Sequence, residues 1–119
     1  IMKAINEIKI DLVQRLKSIA PEKIILFGSL AQDNFQKYSD IDLLVVTDSD
    51  KYPKNYKEKM DIYLEVAKKI DDYQKNYPID LIVHTKPMFK KFIDLNSQFA
   101  KEITEKGQIL YEKNKSGMA

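Results

Sequence analysis

One stretch constrains this chain more than any other: residues 41–47, "IDLLVVT". Side chains alternate along an extended strand, so Leu43 and Val45 share one face and Leu44 and Val46 the other. After Asp42 both faces are apolar. A strand apolar on both sides is central in its sheet and covered on both faces. The fold must therefore hold this segment inside a sheet with other elements packed on it.

The neighbouring segments supply those elements. Ile5, Ile8, Leu12, Leu16 and Ile19 recur at helical spacing and predict a helix over about residues 3–19, ended by Ala20-Pro21. "KIILFGS" predicts a buried strand over about 23–27, closed by Gly28. "SLAQDNFQK" suits a short helix over 29–37 with Ser29 near its start. Beyond the central strand, "DSDKYP" is a polar turn. Tyr56, Met60, Tyr63, Ala67 and Ile70 then mark one long helix over about 54–76. "IDLIVHT" is a third strand, 79–85. Phe89, Phe92, Ile93 and Phe99 are the apolar positions of a last helical region over about 88–106. Gly107 ends it, and "QILYE" suits a short final strand. The order α-β-α-β-α-β-α predicts an α/β (α+β) fold with a sheet of at least three strands and flanking helices. With no repeat and no linker, the 119 residues are expected to form one domain, with its core over about 5–112.

Composition excludes several function classes. Twenty basic against 18 acidic residues leave a net charge of +2, too small a bias for a nucleic-acid surface. The absence of cysteine excludes disulfides and thiolate metal sites, and a single histidine excludes a histidine-rich one. No apolar run is long enough for a membrane span. The charged start "IMKAINEIKIDL" lacks a signal-peptide core, so a cytoplasmic protein is expected.

The chemistry concentrates at strand ends. Asp40 and Asp42 point to one face and enter the central strand from its N-terminal end. Asp80 stands at the same place in the third strand, and "DIDLLVV" and "PIDLIVH" look alike. If these strands are parallel neighbours, three carboxylates meet at one sheet edge, and the helix between them supplies the crossover. Gly28-Ser29 reaches the same spot only if the first strand runs antiparallel to the second, so the sheet should be mixed. Clustered carboxylates repel one another and call for a cation or raised pKa values. Hard divalent cations prefer oxygen ligands and sit between carboxylates and phosphates. A pair of such ions clamps the attacking and leaving oxygens of an in-line displacement at phosphorus. A glycine turn before a helix start lets backbone approach a phosphate. Singly each piece has an ordinary explanation: Gly-Ser turns are common, and a D-x-D at a strand start is usually solvated edge charge. Together they describe a metal–nucleoside triphosphate site.

At these residues "GSLAQDNFQKYSDID" resembles the G-S-x(10)-D-x-D signature of the nucleotidyltransferase superfamily that includes the DNA polymerase β palm. The short length and the ending "KFIDLNSQFAKEITEKGQILYE" are similar to the minimal nucleotidyltransferases, antitoxins commonly paired with a helical HEPN RNase toxin. The resemblance covers about residues 5–112. It implies a polymerase β-like fold and transfer of AMP from ATP to a tyrosine hydroxyl of the HEPN partner. It further implies that Gly28 and Ser29 hold the triphosphate and that Asp40 and Asp42 bind two Mg²⁺ ions. Asp80 would complete the site of the metal nearer the acceptor and help deprotonate the hydroxyl. The family often has G-S-R-A-R-G here, whereas this chain has Leu30, Gln32 and Asp33, so two positive charges and a glycine are missing.

The alternatives are a non-catalytic antitoxin that neutralises its partner by binding and a small-molecule nucleotidyltransferase, which needs more chain for its acceptor pocket. His84 lies on the strand face of Asp80 and suits a partly exposed strand end better than a ligand. Tyr56 and Tyr63 suit the core, and Tyr38, Tyr52 and Tyr77 suit loop packing. "KPMFKKF" suits an amphipathic helix start, and Lys37 a solvated helix end.

Overall fold

The computed structural model describes residues 4–32 and 40–113. Helix α1 (Ile5–Leu16) runs into a 3-10 turn over Lys17–Ile19. Its buried residues Ile8, Leu12 and Leu16 are four apart, one stripe of a helix. Ala20, at φ 48°, turns the chain out before Pro21. Four strands follow in sequence: β1 (Lys23–Phe27), β2 (Ile41–Val46), β3 (Ile79–His84) and β4 (Gln108–Glu112). They form one sheet in the order β3-β2-β1-β4. β2 pairs antiparallel with β1 and parallel with β3, and β4 pairs antiparallel with β1. The sheet is mixed, as the strand directions required.

Each sheet face carries its own core. On one, Ile24, Leu26, Leu43, Val45, Leu81 and Val83 pack with the α1 stripe and with Val66, Ile70 and Tyr73. On the other, Ile25, Phe27, Leu44 and Val46 pack with Ile103, Phe89 and Phe92. Leu43 through Val46 are all fully or almost fully buried, so β2 is covered on both faces.

The expected helix over 54–76 is broken. Helix α2 (Tyr56–Ala67) gives way to a 3-10 turn (Lys68–Ile70) and a short helix α3 (Asp71–Gln74). The break keeps Val66, Ile70 and Tyr73 on the core, and Tyr73 stacks on Tyr77 with ring centres 4.9 Å apart. Arg15 ties α1 to α3: it donates to both carboxylate oxygens of Asp72 at 2.9 and 3.3 Å and lies 4.7 Å over the Tyr73 ring. The expected single helix over 88–106 is two, α4 (Lys86–Asp94) and α5 (Gln98–Lys106). Pro87 sits in the first turn of α4, where a missing N–H costs nothing. Between the helices Asn96 takes a left-handed φ of 51°, and Ser97 caps α5 by accepting from the Ala100 N–H at 3.0 Å.

Tyr56 is 73% exposed on the first turn of α2, not in the core, because its position faces away from the sheet. Tyr63 is packed against the core. Of the helix expected over 29–37, the described part is a 3-10 turn, Ser29–Gln32. Asp33, Lys37 and Tyr38 lie outside the described residues. Among the described residues no helix is long and apolar enough to cross a membrane.

Candidate functional site

The strand directions decide what meets at the sheet's edge. Antiparallel pairing sets Phe27, the last residue of β1, opposite Asp42 near the start of β2. Parallel pairing sets Asp42 opposite Asp80. Directly paired residues share a face, so Phe27, Asp42 and Asp80 form a row across three strands. Asp40 stands two residues before Asp42, on the same side of the chain. The Ile41 N–H donates to the Pro78 carbonyl at 2.9 Å and fixes where β2 begins.

Asp40 and Asp80 are exposed, whereas Asp42 is partly buried. Burial pushes the Asp42 carboxyl above its usual range, and the negative charges of Asp80 and then Asp40 push it further. Gly28 closes β1 at φ +75°, a backbone that side chains rarely adopt. A Cβ at Gly28 would also overlap Oδ2 of Asp42. Glycine is thus needed both for the turn and to leave room for the carboxylate. Ser29 opens the 3-10 turn, in which the Ala31 N–H donates to the Gly28 carbonyl at 3.2 Å. The Leu30 side chain is buried in the main core.

The structure therefore places Gly28, Ser29, Asp42 and Asp80 at one end of the sheet, with Asp40 beside them. Among the described residues no three His, Cys, Asp or Glu side chains already converge on one metal-sized point. The donor set still fits a hard cation: the donors are carboxylate oxygens, and the charges acting on Asp42 are both negative.

His84 belongs to a different region. It lies four residues from Asp80, about 13 Å along an extended strand. Its ring packs edge-on to Phe92 at 5.1 Å and tilted to Phe89 at 6.1 Å. Its Nδ1 is buried without a hydrogen-bond partner. Burial, and secondarily Lys59, push its pKa down, so the neutral ring is favoured.

One residue near this edge was read from the sequence only as an apolar helix position. Phe99, on α5, meets Phe27 edge-on with ring centres 5.6 Å apart, yet remains 42% exposed. The signal that could have set it apart was Ser97: a cap there starts a new helix and rotates Phe99 relative to Phe92.

Comparison with known proteins agrees with this architecture. A crystal structure of a toxin–antitoxin with AMP-PNP is 23% identical, with a TM-score of 0.54, over 95% of this chain and 78% of that one. A mutant of the toxin–antitoxin MntA-HpeT, with two aspartates two residues apart changed to glutamate, is 17% identical with a TM-score of 0.50. That match covers 92% of this chain and 77% of the other. A candidate nucleotidyltransferase from Sulfolobus solfataricus is 20% identical with a TM-score of 0.53, over 97% and 93% of the two chains. At these identities the likeness establishes the fold, that of the polymerase β-like nucleotidyltransferases. A search of curated proteins gave no significant match. The family profile for the nucleotidyltransferase domain matches residues 5–111, nearly the whole described chain, and this chain therefore belongs to the nucleotidyltransferase domain family.

Proposed function

We propose that this chain is an antitoxin that transfers AMP from ATP to a tyrosine hydroxyl of a HEPN-family toxin partner. The observation that carries the reading is the row of Asp42 and Asp80 beside the Gly28 turn, with Asp42 pressed by two like charges. Two Mg²⁺ ions, when bound, would polarise the α-phosphate and stabilise both the attacking and the leaving oxygen. In this reading Asp40 and Asp42 would hold both ions, and Asp80 would complete the site nearer the acceptor. Gly28 and Ser29 present backbone N–H groups and a hydroxyl to the β- and γ-phosphates. The acceptor oxygen forms a bond to the α-phosphorus, and the bond from that phosphorus to the bridging oxygen breaks. Pyrophosphate leaves, and the hydroxyl proton passes to Asp80 or to water. Support for a toxin partner and an ATP-like substrate comes from the relatives: a toxin–antitoxin with AMP-PNP, and one altered at two aspartates spaced like Asp40 and Asp42.

The second reading is neutralisation by binding alone. Leu30 and Gln32 are its sequence support, because the resembled family often has basic residues at these positions, although the Leu30 side chain is buried in the core. Intact-mass measurement of the cognate toxin after incubation with ATP and Mg²⁺ separates the two. A gain of one or more AMP, abolished by Asp40→Ala with Asp42→Ala, supports transfer. An unchanged mass while the toxin is still neutralised refutes transfer and supports occlusion.

A further inference from the structure

The geometry points to Phe99 as one wall of the nucleoside site, the surface against which the base of the nucleotide packs. The inference rests on the reading of Gly28-Ser29 as the phosphate turn. Helix α5 is anchored by Ala100 and Ile103, which are 2% and 1% exposed. Phe99, adjacent to Ala100, is left 42% exposed. Its ring is nevertheless held in place by two edge-on contacts, to Phe27 at 5.6 Å and to Phe92 at 5.9 Å. An aromatic ring fixed on two sides and open to solvent on another is preorganised to stack.

Its place selects the nucleoside rather than the acceptor. Across the sheet the order is Asp80 on β3, Asp42 on β2 and Phe27 on β1. Helix α5 packs over β1, the strand that runs directly into Gly28-Ser29. Asp80, the carboxylate assigned to the acceptor side, is on the far side of Asp42. Phe27 is the direct cross-strand neighbour of Asp42, with Cβ atoms of such pairs about 5 Å apart. Phe99 thus stands within a nucleoside's reach of the α-phosphate, on the side where the triphosphate lies. Stacking on one ring is tolerant of base identity, so this surface contributes affinity for the nucleoside more than choice of base.

The test compares ATP with tripolyphosphate, each with Mg²⁺, by equilibrium binding to the whole chain. Phe99→Ala should weaken ATP about 5- to 100-fold and leave tripolyphosphate within twofold. The chain has no tryptophan, so Phe99→Trp introduces a single reporter. That variant should retain ATP affinity, and its emission should change with ATP and not with tripolyphosphate. Wild-type ATP affinity in Phe99→Ala, or equal loss of both ligands, overturns the inference and leaves the nucleotidyltransferase reading standing. A rise in KM for the acceptor with KM for ATP unchanged assigns Phe99 to the other substrate and also overturns it. If the wild type binds neither ligand, the phosphate turn is misassigned and the inference falls with it.

Discussion

Asp42→Asn should make this protein more stable while removing its proposed chemistry. The substitution keeps the side chain's shape and deletes its charge. Asp42 and Asp80 stand opposite each other on paired strands. Two unit charges about 5 Å apart interact by roughly 3 kcal/mol at an effective dielectric of 20. Asp80 is exposed and screened, which reduces the repulsion to about 1 kcal/mol. Burial of the ionised Asp42 adds to the same sign. A gain of about 1 kcal/mol raises Tm by about 3–6 °C in a domain of this size. The pH dependence is distinctive. Folded Asp42 takes up a proton more readily than in the unfolded chain. Its contribution therefore favours folding at low pH and is lost as pH rises through its folded value. The variant's advantage should be full at pH 7, shrink as pH falls through that raised range, and vanish below about 3.9. Thermal melts of both proteins across pH in metal-free buffer measure this. Adding Mg²⁺ with ATP should then reverse the order, because ligand stabilises only a chain that binds it. A variant no more stable than wild type at pH 7 without metal would refute the electrostatic reasoning.

Two further perturbations probe the neighbouring parts. Gly28→Ala puts a side chain at φ +75° and against Asp42 Oδ2, and should cost about 2–4 kcal/mol in urea unfolding. Transfer should fall about 100-fold because the carboxylate is displaced, and a fully active variant would mean that Asp42 has room to move. His84→Leu removes a half-buried ring whose buried Nδ1 has no partner. Its depressed pKa means that wild type loses stability as pH drops below about 6.5, by up to about 1.4 kcal/mol per pH unit. The leucine variant should lack that slope between pH 7.5 and 5.5, and parallel slopes in the two proteins would show that His84 is accessible to protons when folded.

The elements legible in the sequence were those whose apolar pattern had a single solution. "IDLLVVT" has no polar face after Asp42, and its burial on both sides follows directly. The mixed sheet was legible through Gly28, because only an antiparallel β1 brings its end to the start of β2. The helix breaks were hidden, since apolar spacing persists across them. Val66, Ile70 and Tyr73 continue a helical stripe although the backbone passes through a 3-10 turn. Asn96 and Ser97 did carry a signal, a left-handed residue followed by a cap, which outweighs the run of phenylalanines around it. Tyr56 misled for the same reason: one turn of correct spacing at a helix start does not say which face the helix presents.

The position of Leu30 shows how far a motif can be read without its packing. As a string it stands where the family often has arginine, and it suggests a site short of positive charge. In the fold its side chain is 6% exposed and packs in the main core under the 3-10 turn. A buried apolar residue there anchors the backbone of Gly28 and Ser29, the groups that the proposed function assigns to the phosphates. The exchange thus trades a mobile charge for a fixed turn. In the proposed reading, with no arginine at this point, neutralising the triphosphate would fall to divalent cations held by Asp40, Asp42 and Asp80. That division of labour would give the clustered carboxylates a role consistent with the raised pKa of Asp42 beside Asp80 and Asp40.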